Sequence, residues 1–235
     1  MIEAKPFPPI RLPRRVFLTG SLLAAGALTL PGCASYGGTF SLTEAVRRLL
    51  LLSAERAFAR LTAPDGFWDQ QVAALGLSTM MGTRGDVLGR ILTSTLFKQR
   101  LEGAVADIAV DASYRAAPVV TDAVRVIGFQ NAVDLIRGGP TAASAFMKQE
   151  VGFRLVDAMV PEVGTAFRVA KDPLLGELLA SLTGVDIPGA ATNFSTKVND
   201  VIWTEIGREE AAIRANPAAT RDPVLIGVFG ANAAL

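Results

Sequence analysis

Histidine is absent from the 235 residues, and cysteine occurs once, at Cys33. The first absence excludes a histidine-dependent catalytic triad and an imidazole-held metal, and the second excludes an intrachain disulfide. Charge of one sign is also missing, because 23 Lys and Arg residues stand against 22 Asp and Glu residues. That balance leaves no electrostatic footprint for nucleic acid. Aromatic residues make up only 7%, yet hydrophobic residues reach 50%, too many for a disordered chain. The apolar stretch from Val16 to Leu30 has 15 residues, short of the roughly 20 that span a bilayer as a helix.

That short stretch follows Lys5, Arg11, Arg14 and Arg15 and ends in Leu30-Pro31-Gly32-Cys33, the layout of an export signal. The last four residues resemble a bacterial lipobox, in which the cysteine thiol receives a lipid and the small residue before it admits the peptidase. Cys33 is therefore the expected lipid attachment site. Arg14 and Arg15, with Phe17 and Leu18 behind them and glycines diluting the apolar run, resemble a twin-arginine export motif. Pro13 and Thr19 depart from that motif, so the general secretory route stays open. Setting aside residues 1–32, with four basic residues and one acidic, leaves 19 basic against 21 acidic residues. The implied location is the periplasm-facing cell envelope, anchored to membrane by lipid, and Ala34 rather than Asp after the cysteine points to the outer membrane.

Beyond a linker at 33–40, helical signals dominate. Ser41-Leu42-Thr43-Glu44 has the form of a capping box, and Leu42, Val46, Leu49, Leu50, Ala57 and Leu61 place one apolar stripe on a helix. Pro64-Asp65-Gly66 is a turn. Further helices are expected over 69–74, 84–116 with a break near Gly103, 119–137, 141–160, 161–170, 174–182, 194–215 and 217–229, punctuated by glycine and proline. Alternating β-branched runs are short and none leads into a hairpin turn. The expected fold class is all-α, a single multi-helix domain over 41–230 with 231–235 as a tail.

Pro64-Asp65-Gly66-Phe67, Ile136-Arg137-Gly138-Gly139 with Ala142-Ala143, and the C-terminal run Glu209-Glu210-Ala211-Ala212-Ile213-Arg214-Ala215-Asn216-Pro217 through Val228-Phe229-Gly230 resemble the bacterial exported family known as domain of unknown function 4197. The resemblance implies an α-helical envelope domain, often lipid-anchored, with no established activity and no catalytic residues to carry over. Members commonly have a basic, threonine-rich segment after the aromatic corresponding to Phe146. Lys148-Gln149-Glu150-Val151-Gly152 is mixed in charge and lacks threonine, which argues against a shared anion-binding role there.

Candidate functional residues are few. Phe67, Trp68 and Trp203 are the large aromatics best placed to line a ligand or partner patch, with Arg137 beside a glycine-rich helix junction. The junction Arg137-Gly138-Gly139-Pro140-Thr141 opens a helix whose free amides could hold an anion, although it lacks the spacing and lysine of a nucleotide loop. Its plainer reading makes Gly138 a left-handed helix cap. Glu205, Glu209 and Glu210 could supply a carboxylate pair to a peptidoglycan hydrolase, the alternative to a non-enzymatic domain binding an envelope protein or an apolar small molecule. Against that alternative, Glu210 and Arg214 have the spacing of an ordinary helix pair. No cofactor or metal is expected.

Overall fold

The computed structural model describes residues 41–64, 66–81, 95–169 and 186–232. The export signal, Cys33, the linker, the helix expected over 174–182 and the end of the tail lie outside the described residues. Those described form helices α1 (Leu42–Leu61), α2 (Phe67–Leu75), α3 (Leu77–Met81), α4 (Thr95–Val126), α5 (Ala132–Arg137), α6 (Ala142–Arg168), α7 (Ile187–Ala215) and α8 (Pro223–Asn232), with a 3-10 turn at Pro217–Thr220 before α8. Among the described residues there is no strand, as the all-α expectation requires.

Local chemistry starts several elements. Ser41 Oγ accepts from the Glu44 amide at 3.3 Å and opens α1. The Glu44 carboxylate of the expected capping box meets Arg48 at 2.9 Å and Arg47 at 3.1 Å. The Arg48 hydrogen bond, helped by Arg47, holds that carboxyl below its ordinary value. Arg48 also reaches Asp222 at 3.1 Å, and Asp222 Oδ1 accepts from the Val224 and Leu225 amides that begin α8. One half-buried network thus ties α1 to α8. Gly66, at φ 76°, enters α2 in a left-handed conformation that a side chain would strain.

Three expected boundaries are absent. Helix α4 runs unbroken through Gly103 and Pro118, and α6 runs through Pro161. A proline inside a helix removes one hydrogen bond and costs about 3 kcal/mol. Both prolines face solvent, as do Tyr114 and Asp157 four residues earlier, so water can serve the carbonyls they free. The opposite face keeps its stripe: Ala116, Val120 and Val124 are buried around Pro118, and Val156, Met159, Val163 and Phe167 around Pro161. Burying these at about 25 cal/mol per Å² outweighs the lost bond. Helix α7 begins seven residues earlier than expected, since Pro188 occupies its first turn, where no amide is needed.

Helix α7 lies at the centre, packed against α6 and α1, while α4 packs on α6, α1 and α2. Their shared core includes Leu49, Trp68, Leu101, Met147, Leu155 and Ile202. Phe167 of α6 meets Phe194 of α7 edge to face, ring centroids 5.6 Å apart, and fastens the far end of this antiparallel pair.

Candidate functional site

The residues singled out from sequence do not form one surface patch. Phe67 and Trp68 are only 6% and 1% exposed, packed edge to face at 5.7 Å, with the Arg60 guanidinium 5.4 Å from the Phe67 ring. Helical spacing puts both, with Val72, on the inward face of α2, so they belong to the core instead of a binding patch. Trp203 is buried as well. Arg137 is exposed at the end of α5, apart from these aromatics in the core.

The glycine junction and Glu210 prove to be one structural device. Glu210 is fully buried on α7, and its carboxylate accepts from the Ala143 amide at 3.0 Å and the Ser144 amide at 2.7 Å. The free amides at the start of α6 are therefore filled by the chain's own anion, where a charge also complements the helix dipole. Arg214, one turn on, approaches Glu210 to 2.7 Å and donates to the Leu135 and Ile136 carbonyls that end α5. Its guanidinium lies 4.9 Å from the Phe229 ring of α8. The i,i+4 pair legible in sequence is thus a buried bolt through four helices.

Two glycines permit this approach. A Cβ on Gly207 would sit 3.2 Å from Ser144 Oγ, and one on Gly138 only 2.6 Å from the Ala142 Cβ. Gly138 is not the left-handed cap expected, for its φ of −68° suits any residue. Crowding by Ala142 excludes a side chain there. Glu205 meets Arg208 at 2.9 Å and Arg60 at 3.5 Å, and Glu209 meets Arg208 at 2.6 Å. Glu205 and Glu210 thus reach neighbouring helices, while the Glu209 pair stays within α7.

A groove of about 450 Å³ lies along the α6–α7 pair, lined by Lys148, Gly152, Phe153, Val156, Asp157, Val160 and Pro161 of α6 and by Thr192, Thr196 and Asn199 of α7. A Cβ on Gly152 would meet the Asn199 amide and the Lys148 Cγ at 3.7 Å. Phe153 stands 78% exposed in its lining, an unusual place for a phenyl ring. Lys148 pairs with Asp200 at 2.8 Å. The hydroxyls of Thr192 and Thr196 donate to the Pro188 and Thr192 carbonyls of their own helix. Asn199 is 95% buried by its 5% exposure, and its Oδ1 accepts from Trp203 Nε1 at 3.0 Å.

No residue lining this groove was a sequence candidate; Trp203 lies behind it, bonded to Asn199. The signal present was the unusual Lys148–Gly152 segment, but nothing in the spacing tells that Gly152 faces Asn199 47 positions away. Among the described residues no group of His, Cys, Asp and Glu could hold a metal ion, and no helix is long and apolar enough to cross a membrane. The model of the family DUF4197, described as protein of unknown function, matches residues 38–230. No curated protein and no solved structure matches the chain.

Proposed function

The chain belongs to DUF4197, a family of proteins of unknown function, and we propose that it is a lipid-anchored, non-enzymatic domain of the cell envelope that holds an apolar small molecule in the α6–α7 groove. The groove carries the reading. Its volume of about 450 Å³ falls within the few hundred to 1,000 Å³ typical of small-molecule sites, and its surface is mostly apolar, with Lys148, Asp157, Thr192, Thr196 and Asn199 supplying polar groups. A protein partner would need a face of roughly 800 Å² on each side, more than this furrow offers.

Support for the anchor comes from Leu30-Pro31-Gly32-Cys33 behind Arg14 and Arg15. Binding is favoured over hydrolysis because Glu205, Glu209 and Glu210 are each committed to amides or guanidinium groups. The test is intact mass of the protein purified from membranes of a bacterial host, before and after denaturation. A chain beginning at an acylated Cys33, with further mass released on denaturation, is the expected result. Retention of Met1 without added mass refutes the anchor, and absence of any released mass in repeated preparations counts against the ligand. Replacing Cys33→Ser should move the protein from the membrane to the soluble fraction.

A further inference from the structure

Helix α8 is apolar on the side where a surface helix carries polar residues. Its ten residues, Pro223–Asn232, include no charge. Val224, Leu225 and Phe229 are buried against the domain, while Pro223, Ile226, Gly227 and Gly230 are exposed. Those four stand at i, i+3, i+4 and i+7, a single stripe along the outside of the helix. A helix apolar on every side belongs in a protein interior or against lipid, and the outer stripe of α8 has no protein over it among the described residues.

The start of the chain says which cover it meets. Asp222, just before α8, pairs with Arg48 at 3.1 Å, and Arg48 stands about 9 Å along α1 from Leu42. Leu42 is itself 41% exposed at this end of the domain. Eight steps of chain separate Cys33 from Ser41, and whatever path they take they reach no more than about 29 Å. A lipid on Cys33 therefore keeps α8 within reach of the bilayer surface, at a local concentration on the order of millimolar. A face too small to bind from solution is engaged under that condition. Arg221, exposed and without an ion pair among the described residues, precedes the stripe in a left-handed turn at φ 56° and suits a lipid phosphate. Ten residues are too few to cross a bilayer, so α8 can only lie along it. Resting on the anchor reading above, we propose that Pro223, Ile226, Gly227 and Gly230 form a lipid-docking face that lies on the membrane holding the Cys33 anchor, with Arg221 at its phosphates.

The experiment uses the full acylated chain in vesicles of phosphatidylethanolamine and phosphatidylglycerol. Acylation consumes the thiol of Cys33, the one cysteine of the chain, so Gly227→Cys and Leu96→Cys each supply a single point for a nitrobenzoxadiazole dye. A Cβ on Gly227 meets no atom within 4 Å, so the change leaves the packing intact. Leu96, 74% exposed toward the α2 end of α4, is the control. Lipids carrying a doxyl quencher near the headgroup should quench the dye at position 227 several-fold more than at position 96. In the chain with α8 unsubstituted, the amides of α8 should exchange more slowly when the acylated protein is on vesicles than when the Cys33→Ser chain is in solution. Equal quenching at both positions, with the protein still on the vesicles, overturns the docking face and leaves the anchor standing. A dye at position 227 that is shielded from water yet untouched by the quenchers shows a protein or a second copy as the cover, and overturns the face equally. A chain that carries no acyl mass and does not sediment with vesicles overturns the anchor reading and this one together.

Discussion

Replacing Glu210→Ala should be the most damaging single change in the domain. The carboxylate is fully buried, caps two amides of α6 at 3.0 and 2.7 Å, and neutralises Arg214, whose side chain is only 10% exposed. Removing it leaves a guanidinium without its counter-charge and two amides without an acceptor. Breaking a buried pair from one side costs about 3–5 kcal/mol, because the remaining charge stays desolvated. Set against a total stability of about 5–15 kcal/mol for a domain, that is roughly a fifth or more of what holds it folded. At about 2–4 °C per kcal/mol for a domain of this size, the melting temperature should fall by roughly 6–20 °C. Urea unfolding followed by circular dichroism reads the loss directly, as a lower midpoint at constant slope. The exposed pair Lys148–Asp200, broken by Lys148→Met, is the internal control and should cost about 1 kcal/mol or less. A Glu210→Ala variant as stable as that control would falsify the bolt reading, since the amides and Arg214 would then be finding other partners.

Other expectations follow from the same packing. Pro161→Ala should stabilise the domain by about 1–3 kcal/mol in urea unfolding, because it restores a helix bond on a solvent-facing position without touching the buried stripe. A loss instead would mean that the ring is a packing element. Gly207→Val should destabilise by about 1–3 kcal/mol, since even a Cβ there meets Ser144 and Thr141 at 3.2 Å, and an unchanged midpoint would show that α7 can shift. Glu44 has its pKa lowered by Arg48 and Arg47, so its stabilising contribution is present above the unfolded value, near 4.5, and fades as pH falls through the lower folded value. The pair is partly exposed, so the effect is small and weakens in salt. Glu44→Gln should therefore lie slightly below the parent at neutral pH and converge with it in acid; a gap that widens in acid refutes the sign.

The parts of this protein that could be read without its fold are those settled between near neighbours in the chain. Ser41 caps α1 within one turn, Gly66 completes its turn on its own dihedral angles, and apolar residues three and four apart mark the inward face of nearly every helix. All-α architecture follows from that periodicity alone. Other features depended on residues brought together from afar. Pro118 and Pro161 look like helix ends because a local bond is lost, and continue as helix because a buried stripe on the opposite side is worth more. Phe67 and Trp68 are core because α2 turns that face inward, which no dipeptide can announce. The i,i+4 spacing of Glu210 and Arg214 was visible, but its role arises from Ala143 and Ser144, 67 and 66 positions away. Asn199 holds the Trp203 indole within one turn of α7, but only the packing of α6 on α7 sets it beside Gly152. Spacing encodes which face a side chain takes on its own helix, whereas what that face meets is set by the sum of many burial energies across the whole domain.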